Sequence, residues 1–219
     1  MAIVITGANR GIGRGLRDHY RAKGKTVYGT TRGEIPEDDP HWITLDVTKA
    51  TGFTHLSERL DSVPVDLLVC NAGVYLDKGM KLATDYSPEV WAKTFAVNVT
   101  GVFETVQALL PNLQMADAPK IAVISSLMGS SERAPGGSYV YRAAKAAVTN
   151  LARNLSTDLS ALGIAVGVYH PGWVRTDMGG HGADIELDES VAGLTARFDA
   201  LTLDTTGAAL GYDGTPMSF

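Results

Sequence analysis

Ala2 Ile3 Val4 Ile5 Thr6 Gly7 Ala8 Asn9 Arg10 Gly11 Ile12 Gly13 opens the chain, and its reading decides the fold. A continuous apolar run closed by glycine predicts a fully buried strand over Ala2 to Thr6. The run Arg14 to Lys23 then predicts a helix, so strand, tight turn and helix follow one another. Such a unit is an anion site: glycines let the backbone approach a phosphate, and the first helical turn offers unpaired N–H groups at the positive end of the dipole. The glycines stand as G-x-x-x-G-x-G and not as the G-x-G-x-x-G of the general dinucleotide fingerprint. From this stretch alone a merely tight turn stays open.

Working outward, the second strand is expected over Thr26 to Arg32. It ends about 20 residues beyond the glycines, where an acid would bind the ribose 2'-hydroxyl of NAD. Thr31 holds that place and Arg32 follows. With no carboxylate to repel it and a guanidinium beside it, a 2'-phosphate is favoured, and Arg10 adds a second positive charge. The expectation is NADP(H), with NAD(H) possible. A loop from Gly33 to Pro40 leads to a strand at His41 to Leu45, ending in Asp46 and Val47. Asp46 is placed to accept from an adenine amino group, or to cap a helix over Thr48 to Leu60, or both.

The fourth strand, Val65 to Cys70, delivers Asn71, Ala72 and Gly73 at its carboxyl end, where ligands lie in open parallel sheets. A small, backbone-exposing tripeptide there suits a flat cofactor face, although alone it is just a turn. A long amphipathic helix is expected from Ser87, as cap, and Pro88 to about Leu113. Inside it, Asn98 is an amide among Phe95, Val97 and Val99, and it must find partners if buried. The fifth strand, Lys120 to Ile124, ends in Ser125 and Ser126, and a glycine-rich loop from Gly129 to Ser138 follows. The sixth, Ile164 to His170, ends in Pro171 Gly172 Trp173 Val174 Arg175 Thr176 Asp177. A glycine-rich loop at Met178 to Gly182, a helix from Asp188 to Leu203 and a short strand at Ala208 to Leu210 complete the chain. Strands alternating with helical runs predict an α/β fold with one doubly wound parallel sheet flanked by helices. It is read as a single domain, residues 1–115 mainly binding dinucleotide and 116–219 carrying the catalytic and substrate loops.

Tyr141 and Lys145 stand four residues apart at the start of an alanine- and leucine-rich helical run, so they share one face. An ammonium beside a phenol is expected to lower its pKa and ready it for proton transfer at a carbonyl or hydroxyl. The same spacing on a solvated helix would do nothing, and the rest of the chain decides.

Composition bounds the answer. The 219 residues, 45% hydrophobic and 20% charged with a net charge of -5, suit an ordinary globule. There is no basic footprint for nucleic acid and no sign of affinity for an anionic membrane. Cys70 alone cannot form an internal disulfide, so a reducing cytoplasm is expected. The apolar run at the start is too short for a membrane span or a signal peptide. His170 and His181 lack ligand neighbours at convincing spacing, so no metal is expected.

Taken together, Thr6 to Gly13, Asn71 Ala72 Gly73, Asn98, Ser126, Tyr141 to Lys145 and Pro171 Gly172 resemble the short-chain dehydrogenase/reductase family, in its order and spacing, over essentially the whole chain. The short length, with Met128 Gly129 Ser130, Gly136 to Arg142 and Thr176 to Gly180, resembles its C-factor and sniffer-like carbonyl reductase branch. One departure stands out. The spacing usual in the family would pair Ser126 with Tyr139, but Tyr139 has Ala143 four residues on, whereas Tyr141 has Lys145. Tyr141 with Ser126 is therefore the expected pair, with Ser138 and Ser125 weaker candidates for the serine.

The resemblance implies a Rossmann-type fold and an NADP(H)-dependent oxidoreductase acting on a small carbonyl or alcohol. It implies catalytic roles for Asn98, Ser126, Tyr141 and Lys145. Ser126 would bond the carbonyl oxygen and Tyr141 would donate the proton. Lys145 would hold the nicotinamide ribose, and Asn98 a relay water. The pyrophosphate would lie at Gly7, Asn9, Arg10, Gly11, Ile12 and Gly13. The rest of the cofactor would meet Thr31, Arg32, Asp46, Val47, Asn71, Ala72, Gly73, Pro171 and Gly172, with the carboxamide at Val174 and Thr176. The resemblance also implies a homodimer or homotetramer built through the Asn98 and Tyr141 helices. A different class of protein, a cofactor-binding sensor or developmental signal with little turnover, stays as the alternative. The segment Met178 to Glu189 is expected to wall the substrate pocket and to be mobile, with Trp173 and Tyr139 either offering aromatic surface or packing in the core or lid.

Overall fold

Alternating side chains split each strand between two cores, and that split dictates the layers. The computed structural model describes residues 1–35 and 39–218. The strands are β1 (Ala2–Ile5), β2 (Thr26–Thr31), β3 (Trp42–Thr44), β4 (Leu67–Cys70), β5 (Lys120–Ile124), β6 (Ala165–His170) and β7 (Ala209–Gly211). On one face Val4, Leu68, Cys70, Ile121, Val123, Val166 and Val168 point into a common core. On the other, Ile3, Ile5, Val69, Ala122, Ile124 and Tyr169 form a second.

Helices α2 (Ala50–Arg59), α4 (Gly101–Gln114) and α5 (Tyr139–Ser160) close the first core with Leu56, Leu109, Leu113 and Val148. Helices α1 (Gly11–Ala22) and α6 (Leu187–Ala200) close the second with Leu16, Tyr20, Leu194 and Phe198. Each fully buried Leu, Ile or Phe contributes roughly 1.5–3 kcal/mol relative to exposure. Among the described residues no helix is long and apolar enough to cross a membrane.

The seven strands are parallel and ordered β3-β2-β1-β4-β5-β6-β7. The chain leaves β1 towards one edge and returns at β4 on its other side. The crevice between the carboxyl ends of β1 and β4 is thus the switch point at which open α/β sheets bind ligands. This is the Rossmann-type doubly wound architecture expected from the alternating runs.

Several boundaries differ from expectation. The long helix is interrupted: α3 (Pro88–Phe95) passes into a π-helical segment, Ala96–Thr100, before α4. A peptide N–H at the end of that segment returns to the Ala96 carbonyl, giving a widened turn centred on Asn98. Helix α5 begins at Tyr139, so Tyr141 lies in its first turn. The middle of the loop expected from Gly33 to Pro40, residues 36–38, lies outside the described residues.

Candidate active site

The glycine turn is stitched to the end of β4 through Thr6. Its hydroxyl accepts from the amides of Asn71 and Ala72, each at 3.0 Å, and the Asn71 side-chain amide donates to the Thr6 and Gly7 carbonyls at 2.9 and 3.1 Å. Gly7 has φ 67, a left-handed conformation that glycine adopts without strain. At Gly13 a Cβ would stand 2.3 Å from the Gly7 carbonyl oxygen, so only glycine lets α1 start this close to the turn. Arg10, at the N-cap of α1, makes no side-chain cap, and the first turn holds no acid. Those helix amides therefore have neither a side-chain cap nor an acid of their own first turn against them, which suits a pyrophosphate. The residues present fit a dinucleotide.

Gly7, Asn9, Arg10, Gly11 and Ile12 line this cleft. At its far end lie Thr31, Arg32, Asp46 and Val47. Thr31 is buried, its hydroxyl accepting from the Gly33 amide at 3.1 Å. Asp46 accepts from the Thr48 amide at 3.0 Å and the Thr48 hydroxyl at 2.8 Å, so it caps the turn before α2 while lining the cleft. Partial burial pushes its carboxyl up, but the Thr48 bonds and the charges of Arg32 and Lys49 outweigh that and hold it below the usual range. Arg10 pairs at 3.2 Å with Asp177, also on the cleft wall.

Asn71, Ala72 and Gly73 form the floor, and Tyr141, Lys145, Pro171 and Thr176 the opposite wall. Gly172 and Val174 stand just behind it, Val174 buried and bridged to Ile185. The Thr176 hydroxyl donates to the Val174 carbonyl at 3.3 Å and accepts from the Gly179 amide at 3.2 Å, closing a turn that leads into the pocket-wall segment.

Around Tyr141 the groups converge. Ser126 is buried, and its hydroxyl accepts from the Met128 amide at 3.1 Å and stands near enough to the Tyr141 phenol to ease its ionisation. Ser125 is committed elsewhere, to the Lys145 carbonyl and the Thr149 hydroxyl. Tyr139 turns outward, 39% exposed and edge-on to Tyr86. The arrangement thus brings Tyr141, not Tyr139, beside Ser126 and Lys145.

The phenol itself departs from expectation. Burial drives its pKa up, and the nearby Tyr75 and Asp77 add to that, while only the Ser126 hydroxyl acts downward. Lys145 does not reverse the balance. Its Nζ donates to the Ile124 carbonyl at 2.8 Å and lies 5.7 Å from the Tyr141 ring centroid, and burial pulls the ammonium down to about 8. Spacing places the pair together, whereas desolvation sets the sign. The phenol carries its proton at neutral pH, and burial makes it a weaker acid than a free tyrosine.

Asn98 is held at both ends of its amide: its Oδ1 accepts from the Val74 amide at 2.8 Å and its Nδ2 donates to the Val74 carbonyl at 2.9 Å. Its side chain clamps the strand exit.

Sequence reasoning missed other cleft residues, Thr30, Leu45, Val74, Val97, Ile124 and Asp177, while Met178, expected to wall the pocket, does line it. Most adjoin residues that were named, and counting one residue further along each strand end would have found them. It also missed Tyr75, stacked on Tyr141 with centroids 4.2 Å apart, and Asp77 beneath α5. No local signal marks either.

Fold and cleft together define the class, a nicotinamide-dependent oxidoreductase of Rossmann type. Residues 1–184 match the family model described as short chain dehydrogenase, and the chain belongs to the short-chain dehydrogenase/reductase family. It is 38% identical to C-signal of Myxococcus xanthus over 156 residues, 69% of this chain and 91% of that protein. The structure is similar to an NADPH-bound carbonyl reductase from chicken fatty liver, with TM-score 0.88, 29% identity and coverage of 100% of this chain and 98% of the other. The carbonyl reductase Sniffer of D. melanogaster gives 0.91 and 25%, covering 100% and 99%.

Proposed function

We propose that the protein is an NADP(H)-dependent reductase of small carbonyl compounds, working reversibly on the alcohol. The observation that carries this reading is the placing of Tyr141 and Lys145 on the wall of a cleft that the turn at the start of α1 also lines, with the buried Ser126 beside the phenol. When bound, the nicotinamide supplies the hydride. Ser126 would orient the carbonyl oxygen and stabilise the charge developing on it. Tyr141 would give its Oη proton to that oxygen. Lys145, with a pKa of about 8, changes charge near neutrality, suiting it to return a proton to Tyr141 and to bond ribose hydroxyls. Asn98 would hold the Gly73–Val74 floor against which a flat ring lies.

Thr31 and Arg32 support NADP(H) over NAD(H), since Arg32 and Arg10 both line the cleft and no carboxylate stands at position 31. The similarity to an NADPH-bound reductase supports the same preference. Assembly as a dimer or tetramer would use the outer faces of α4 and α5, where Phe103 lies exposed.

The test is consumption of NADPH and, separately, NADH across aldehydes, ketones, diketones and quinones, with Thr31→Asp alongside. Turnover that prefers NADPH is expected. The aspartate should weaken NADPH roughly 10- to 100-fold through a new repulsive charge contact with the 2'-phosphate, while sparing NADH. An unchanged preference would sink the assignment of Thr31 and Arg32. Tight NADPH binding without turnover on any carbonyl would instead favour a cofactor-binding signal, the role suggested by the name of the Myxococcus relative.

A further inference from the structure

Asp77 is a carboxylate with 0% exposure, and a buried charge must be satisfied by directed partners. Its partners are peptide amides at the start of α5: Val140 N–H at 2.8 Å and Tyr141 N–H at 3.3 Å. These are the second and third residues of the helix, the two amides that an N-cap side chain ordinarily takes. The chain's own N-cap, Ser138, does not take them. It sits at φ 48, makes no side-chain cap, and its hydroxyl is bonded to the Tyr75 hydroxyl. The cap is therefore supplied from a segment 63 residues earlier.

The same connection between β4 and α3 does more than cap. Asn71 to Gly73 floor the cleft, Val74 is clamped by Asn98, and Tyr75 stacks on the Tyr141 ring at an interplanar angle of 23°. One short strap thus touches the cofactor floor, the ring face of the proton donor, and the amides that fix where its helix begins.

We propose that Asp77 is a positioning residue for Tyr141: its carboxylate caps α5 in place of Ser138 and, with the Tyr75 ring, fixes the phenol opposite Ser126. The proposal rests on the reductase reading for its kinetic part and on geometry alone for its structural part. The titratable and charged groups around the phenol are Tyr75 and Asp77 from the strap and Lys145 from α5, while His170 at the end of β6 faces Lys145. Ser126 from β5 is uncharged. Among these Asp77 pushes the phenol towards its protonated form, so removing its charge should ease ionisation.

The experiment compares wild type with Asp77→Asn, which keeps the shape and one acceptor oxygen, and Asp77→Ala, which removes the cap. NADPH affinity, kcat, KM and amide hydrogen exchange are read for each. For Asp77→Ala, affinity and KM should stay within about twofold while kcat falls roughly 10- to 100-fold, the range expected when a reacting group is displaced by about an ångström. Asparagine ranks with aspartate as a cap, so Asp77→Asn should recover most of that kcat. Exchange at Val140 and Tyr141 should quicken in Asp77→Ala and stay near wild type in Asp77→Asn. Unchanged kcat and exchange in Asp77→Ala would overturn the proposal, as would a loss of kcat that only follows the folded fraction. If Asp77→Ala does not fold, Asp77→Ser, whose shorter side chain reaches the amides less well, replaces it. If wild type reduces no carbonyl, the reductase reading fails by itself, and exchange at Val140 and Tyr141 still decides whether Asp77 holds the helix start.

Discussion

Lys145 holds an ammonium in a buried setting, and that costs stability. The sign follows from linkage. Its pKa falls from 10.5 to about 8 on folding, so between those values the unfolded chain binds more protons and stability rises with pH. Below about 8 the full cost is present. Lys145→Met should therefore raise Tm at pH 7, even after the Ile124 carbonyl loses its partner. A net gain of about 1–2 kcal/mol at roughly 2–4 °C each gives a rise of roughly 2–8 °C. The margin should narrow as pH rises from about 8 towards 10.5. Thermal melts across that range check it, and a variant no more stable than wild type at pH 7 would contradict it. At this scale the pairing of Tyr141 with Lys145 was legible because helical spacing fixes a shared face. The direction of the phenol's shift was not, because an ammonium is visible in a sequence and desolvation is not. Asp77 was illegible for a different reason: its partners lie in another helix, and nothing in Leu76 Asp77 Lys78 announces them.

The strand–turn–helix at the start of the chain is the element on which cofactor binding depends. Its fit is set by Gly13, where a methyl group would stand 2.3 Å from the Gly7 oxygen and 2.5 Å from the Asn71 amide nitrogen. Both neighbours are held by bonds between β1 and β4, so neither yields freely. Gly13→Ala should cost about 1–3 kcal/mol by overpacking and weaken NADPH binding with it. Urea unfolding and a fluorescence titration read the two effects, and wild-type values in both would show that the turn can shift after all. This unit was readable because a strand, glycines and a helix each leave a local signature. The π turn at Ala96–Thr100 was not readable. The apolar pattern runs through it unbroken, and only the pull of Asn98 on Val74, a contact between distant segments, marks the place.

Across the whole molecule, the binding and catalytic groups come from opposite ends of the chain and meet only because the sheet is doubly wound. The order β3-β2-β1-β4-β5-β6-β7 puts the glycine turn after β1 beside the end of β4, and the serines after β5 next to that. Alternation of strands and helices made that topology legible in the sequence. The strap from β4 across to α5 was not, since loop paths follow from packing that no periodicity records. If cofactor binding belongs to the β1 turn and proton donation to α5, the two must separate in one variant. Measuring kcat and the NADPH dissociation constant of Tyr141→Phe tests this most directly. The account predicts a loss of roughly 10²- to 10⁴-fold in kcat, the contribution typical of a general acid, with NADPH affinity within about threefold of wild type. Turnover that survives in Tyr141→Phe, or binding lost together with turnover, would contradict it.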